Sequence, residues 1–162
     1  MSAQNYTTSF TVHASPDEVF AAITRPQAWW TEMIEGGTTE SGDEFGFDNP
    51  GLHRTRIRLT EVVPGTKMVW HVLENHFGFV QDQSEWVGSD IVFELADGPE
   101  GDTAVRVTHV GLVPELECYD VCSAAWNHHL AQGLRGLVEA GHADVITAEN
   151  AARQARDVGI DT

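Results

Sequence analysis

The stretch CYDVCSAAWNHHLAQGLRGLVEAG, residues 118–141, decides the fold. It holds no proline from Cys118 to Ala140. Tyr119, Cys122, Trp126, Leu130, Leu134 and Leu137 recur at three- and four-residue spacing, which predicts one long amphipathic helix. Gly133 and Gly136 weaken its intrinsic propensity and predict close approach to another element. Gly141 suits its C-terminal end. A helix with a single apolar stripe must bury that stripe against something else in the chain.

Upstream of it the period changes from helical to two-residue alternation. Phe45 and Phe47 alternate. Thr55, Ile57, Leu59 and Glu61 alternate with Arg54, Arg56, Arg58 and Thr60. Pro64-Gly65 predicts a tight turn, after which Met68, Trp70 and Val72 share a face. Ile91, Phe93 and Leu95 share the next face, and Val105, Val107 and His109 the one after. Further back, Thr7 to Val12 reads as a strand. Ser15-Pro16-Asp17-Glu18 then opens a helix carrying Val19, Phe20 and Ile23. Arg25-Pro26 closes it. Ala28 to Ile34, with Trp29, Trp30 and Met33, predicts a second short helix. The expected fold is α+β, a helix-grip arrangement. A curved antiparallel sheet of about six to seven strands wraps the long C-terminal helix, with two short helices after the first strand. Residues 1–143 form one domain, and 144–162 a polar tail, either a short extra helix or frayed.

Composition narrows the function. The chain has 162 residues, 41% hydrophobic, with 25 Asp and Glu against 9 Lys and Arg, a net charge of −16. One domain of that size buries enough surface to fold without staples. So negative a surface repels phosphate backbones and anionic lipid, so neither nucleic acid nor a membrane is an expected partner. The apolar runs are short and the N-terminus has no basic or apolar leader pattern, so a cytoplasmic address is expected. Cys118 and Cys122 are the only cysteines. Four apart on a helix, they offer two thiols without the second pair a structural zinc site needs. Adjacent His128 and His129 point about 100° apart on a helix and chelate poorly. No metal and no cofactor is expected.

Several stretches together resemble one family. These are SFTVHASPDEVFAAITRPQAWWTEM, GDEFGF, LTEVVPGTKMVWHV and the C-terminal helix quoted above. They are similar to the SRPBCC superfamily (START and Bet v-type, helix-grip fold), in the branch of the activator homologue of the heat-shock-protein-90 ATPase. The specific signatures are Ala14-Ser15-Pro16-x-x-Val19-Phe20, Val63-Pro64-Gly65 leading into Met68-Val69-Trp70, and Trp126-x-x-x-Leu130. The resemblance spans Tyr6 to Gly141. It implies a seven-stranded sheet gripping the helix over a cavity, in a family of ligand carriers, polyketide cyclases and dehydratases, and co-chaperone domains. The chain starts directly at this domain, so the resemblance does not carry over direct ATPase activation.

The expected ligand is a hydrophobic or aromatic small molecule, lipid-like or polyketide-like, bound without catalysis. Its expected walls are Trp29, Trp30, Met33, Phe45, Phe47, Trp70, Phe79, Trp86, Phe93, His109, Trp126 and Leu130. His109 is the inward titratable group by alternation, and can serve catalysis, ligand binding or structure. Glu61 is the best candidate for an inward acid. His71 points away from the helix. One alternative is a cyclase- or dehydratase-like enzyme using a cavity histidine. Another is a co-chaperone-like or regulatory module that binds a protein partner, with the Arg54, Arg56, Arg58 stripe as its docking surface. Monomer and homodimer both stay open. No catalytic serine elbow, HExxH or phosphate loop is present.

Overall fold

The computed structural model describes residues 5–49, 53–78, 81, 85–143 and 145. Strand β1 (Tyr6–Val12) leads into α1 (Pro16–Ile23) and α2 (Pro26–Trp29). Six strands follow: β2 (Glu35–Gly36), β3 (Glu44–Asn49), β4 (His53–Val63), β5 (Lys67–Phe77), β6 (Asp90–Asp97) and β7 (Thr103–Val110). The chain ends its described course in a helix built of α3 (Tyr119–His128), a π-wound segment His129–Leu134 and α4 (Arg135–Ala140). The strands form one antiparallel sheet in the order β1-β7-β6-β5-β4-β3-β2. This is the helix-grip arrangement expected. The 144–162 tail call lies outside the described residues, Val145 apart.

Local chemistry explains the element ends. Ser15 caps α1 by accepting the Glu18 N–H at 3.2 Å, with Pro16 at the first helical position. The second helix is shorter and earlier than the expected 28–34. Pro26, with its fixed φ, starts α2 as well as stopping α1, and the turn closes at Trp29. Between β4 and β5, Thr66 N–H bonds the Val63 carbonyl at 3.0 Å. Gly65 takes φ +75° at the turn position that demands it. The start of α3 is capped from afar: the Glu85 carboxylate accepts the backbone N–H groups of Glu117 (2.7 Å) and Cys118 (3.0 Å).

Two register shifts bend the β4–β5 pair. The first lies between Leu59 and Glu61. It breaks the alternation that holds from His53 to Leu59, so Thr60 and Glu61 both face solvent and Val62 turns inward. Glu61, the expected inward acid, is therefore a surface group 3.6 Å from Lys67 Nζ. The second shift, between Arg56 and Ile57, places an extra residue in β5 near Leu73. Inward parity passes from Val72 to Asn75 and Phe77.

The helix presents Cys122, Trp126, Leu130 and Leu134 to the sheet, all buried. A step of four overshoots an α-helical turn by about 40°. The wider π winding over His129–Leu134 takes back part of that drift and keeps the row facing inward. Gly133 meets the end of α2 backbone to side. A Cβ there would collide with the Trp29 carbonyl oxygen, the close approach its glycine predicts. Leu130 is 1% exposed. Leu130→Ala should cost about 2–5 kcal/mol in urea unfolding, the range for a buried large-to-small change. A loss under about 0.5 kcal/mol would place Leu130 at the surface.

Candidate functional site

The interior between sheet and helix divides into two zones. The first is closed by aromatic contacts. Trp29, Phe45, Trp70 and Phe93 are each 0% exposed. Trp70 stacks on Trp29 (6.0 Å) and Trp30 (5.9 Å) and meets Phe45 (5.1 Å) and Phe93 (4.6 Å) edge-on. Offset and edge-to-face pairs at these distances are ordinary core packing. The Trp29 and Trp70 indoles donate within the zone as well, to the Ala22 carbonyl and the Met68 sulfur. Sequence alone grouped these four rings with the ligand walls. Their ring-to-ring contacts make them core.

The second zone mixes aromatic rings with three buried histidines, His53, His109 and His129. His109 is inward, as alternation predicts, and its hydrogen bonds define its state. The Trp126 Nε1–H donates to His109 Nδ1 at 3.1 Å. That leaves the proton on Nε2, which donates to Ser89 Oγ at 2.8 Å. Ser89 in turn donates to the Trp86 carbonyl at 2.6 Å. The chain ends on a backbone carbonyl, so no member can pass a proton onward. Burial holds the His109 pKa down to about 3. The imidazole is neutral, fixed in one tautomer and fully bonded. Of the three roles open to it, the geometry favours structure.

His53 and His129 are placed differently. His53 opens β4 with the inward parity of Thr55, Ile57 and Leu59. Its ring lies 4.2 Å from Phe77, 5.0 Å from Phe47 and 4.9 Å from Trp86. Its Nε2–H donates to Asn75 Oδ1 at 2.6 Å. Burial, with the nearby charge of His129, lowers its pKa to about 3. His129 lies on the π-wound segment, 6.4 Å from the Trp30 ring, and burial likewise lowers its pKa to about 3. Two buried atoms here, Asn75 Nδ2 and His129 Nδ1, have no hydrogen-bond partner among the described residues. Buried polar groups are paired in the great majority of cases, so two open ones in one zone ask for an explanation. Trp30, Phe47, Trp86 and Trp126 complete the wall. Trp30 meets Phe47 at 4.9 Å and Trp126 at 5.1 Å, and Trp86 stacks on Trp126 at 6.0 Å.

A cleft of about 960 Å³ lies over β2–β5. Gly46 interrupts the outward row of β3 there, so the ladder is bare of a side chain. Met33, Phe47, Leu73 and Val87 give the cleft its apolar lining, Thr55 and Asn75 join them, and Glu35, Asp48, Arg54, Arg56 and Glu74 add charge. Of the expected ligand walls, Met33 and Phe47 reach this cleft. Phe79 lies outside the described residues. His53 and Asn75 belong to the site although sequence reasoning did not single them out. The parity of β4 carries the signal for His53. The bulge near Leu73 hides that for Asn75.

The remaining candidates sort plainly. Arg56 and Arg58 both pair with Glu44, at 2.9 and 2.6 Å, and those two arginines hold its carboxyl below the usual range. Two thirds of the basic stripe is thereby neutralised from within the chain. His71 faces outward and meets Asp90 at 2.7 Å. Cys118 and Cys122 are both buried, and contact with Cys118 together with burial pushes the Cys122 thiol pKa up. His128 is exposed.

Comparison with known proteins places the chain. A family model described as "Activator of Hsp90 ATPase homolog 1-like protein" matches residues 13–139. The fold superposes on the solution structure of the Aha1 dimer from Colwellia psychrerythraea with a TM-score of 0.69. Sequence identity is 24%, with 85% of this chain and 98% of that one covered. CalU16 from Micromonospora echinospora gives a TM-score of 0.63 at 14% identity, covering 97% and 84%. DynU16, a protein of the dynemicin biosynthetic locus, gives 0.61 at 18% identity, covering 85% of this chain and 48% of that one. At these identities the structures establish a shared fold. No curated protein matches the sequence. Among the described residues, no helix is long and apolar enough to cross a membrane.

Proposed function

The chain belongs to the family of activator of Hsp90 ATPase homolog 1-like proteins, and from this premise we propose that it binds a hydrophobic or aromatic small molecule, without catalysis, in the histidine-bearing zone between sheet and helix. One observation carries the reading: the open hydrogen-bonding positions of Asn75 and His129 within an aromatic wall. Pockets for small molecules combine apolar and aromatic lining with a few convergent polar groups, and this zone has that composition. Phe47 and Asn75 join it to the cleft, since both line the cleft and both contact His53. The non-catalytic part rests on His109, whose two nitrogens are committed to structural partners. A protein-docking role for the arginine stripe finds less support, because Glu44 already occupies two of its three members.

All five tryptophans are buried, three of them around this zone. A ring bound there should quench or shift tryptophan emission. Titration with naphthalene should give a saturable change, and Trp126→Leu should alter its amplitude. Native mass spectrometry of freshly purified protein should show a co-purified small molecule. An emission spectrum that no concentration of naphthalene changes, together with a bare mass, would end the ligand-binding reading.

A further inference from the structure

The pattern of satisfied and unsatisfied atoms in the histidine-bearing zone says more about the ligand than its aromatic lining does. Asn75 Oδ1 is occupied by His53 Nε2–H, which fixes which end of the amide is left. The remaining Nδ2 can only donate. His129 Nδ1 is a neutral imidazole nitrogen, which accepts in one tautomer and donates in the other. Rings in mutual contact run from one to the other: His53 to Phe47 at 5.0 Å, Phe47 to Trp30 at 4.9 Å, Trp30 to His129 at 6.4 Å. His109, in the same interior, has no such opening.

Resting on the small-molecule reading above, we infer that the zone selects a neutral aromatic ring bearing a hydroxyl group, a phenol, over the bare hydrocarbon and over the matching carboxylate. A hydroxyl both donates and accepts, so it suits a fixed donor on Asn75 and either tautomer of His129. A carboxylate only accepts, and brings a full charge among apolar rings. The arginines of β4 cannot meet that charge, because Arg54, Arg56 and Arg58 face the opposite side of the sheet. Nor does an imidazole supply the positive charge readily, since burial holds His53 and His129 neutral. An amine brings a cation to the same neutral surroundings. A bare hydrocarbon fits the rings but leaves both polar atoms unpaired, and a site built around polar groups discriminates against the analogue that lacks their partner.

The test uses three ligands with one ring system: naphthalene, 2-naphthol and 2-naphthoate, titrated against the intact chain at pH 7.5. 2-Naphthol should bind on the order of tenfold tighter than naphthalene, the worth of one to two hydrogen bonds. 2-Naphthoate should bind weakest of the three. Asn75→Leu and His129→Phe should each bring the naphthol-to-naphthalene ratio towards one. In the unaltered protein, an imidazole ¹⁵N resonance that His129→Phe removes should move with 2-naphthol and stay with naphthalene. That measurement needs no binding-competent variant. Equal affinities for naphthol and naphthalene, a preference that survives both substitutions, or an imidazole resonance indifferent to the hydroxyl would each overturn the inference while leaving the hydrophobic site standing. Failure of all three ligands to bind would instead remove the site itself.

Discussion

Lowering the pH from 7.5 to 5 should strip roughly 6 kcal/mol from the folding stability of this chain. His53, His109 and His129 each have a folded pKa of about 3, lowered mainly by burial. In the unfolded chain each returns to about 6.5. Above that value neither state binds the proton and no penalty exists. Below it the unfolded chain takes up protons that the folded chain refuses, so stability falls with pH until the folded value is reached. At pH 5 the gap is about 1.5 units, or about 2 kcal/mol for each group. The sum is comparable with the whole stability of an ordinary domain, about 5–15 kcal/mol. Urea unfolding followed by tryptophan fluorescence at pH 7.5, 6.0 and 5.0 measures it directly. A midpoint that stays constant over that range would show that the three imidazoles are solvated or already charged in the fold.

Trp70→Ala should cost about 3–5 kcal/mol, the range for removing a large buried aromatic side chain. Trp70 is the hub of the closed zone, in ring contact with Trp29, Trp30, Phe45 and Phe93. Those neighbours come from α2 and its C-terminal end, from β3 and from β6. Collapse into the vacated space would therefore have to move three separate elements at once. Its indole N–H bond to the Met68 sulfur adds a small contribution. Trp70→Phe keeps an aromatic partner for the same rings and should lose distinctly less. Guanidinium unfolding of the two variants beside the parent chain decides it. A loss below about 1 kcal/mol for the alanine variant would mean that the cluster repacks freely and is no core.

The fold was legible because its periods are clean. The four-residue row from Cys122 to Leu134 and the strict alternation from His53 to Leu59 each leave one side apolar. A sheet and a helix so patterned have few ways to cover each other. The same logic put His109 inside. It could not supply the partners of His109, since Ser89 and Trp126 lie 20 and 17 residues away in sequence. Whether that histidine is locked or poised depends on those partners alone. Alternation misled at Glu61 because a bulge adds a residue that no local signal announces. It missed Asn75 for the same reason. Among the aromatics, sequence shows that the rings are inward. Only their mutual distances separate Trp70, enclosed by four rings, from Phe47, which lies between a cleft and a histidine.

The change of winding at His129–Leu134 divides the C-terminal helix into two segments joined at a phase offset. Excision of the single residue Ala131 would let the helix run in ordinary α geometry throughout. Each residue subtends about 100° on such a helix, so everything downstream would turn by that angle relative to the sheet. Leu134 would swing away from the interior, and Gly133 would no longer lie opposite the Trp29 carbonyl. An excision outside the helix, at the exposed Gly101 between β6 and β7, changes only the length of a surface connection. In this protein, tolerance to a one-residue length change is thus a property of where the helix changes gear, and an alignment gap falling inside 129–134 would mark relatives whose helix meets the sheet with a different face.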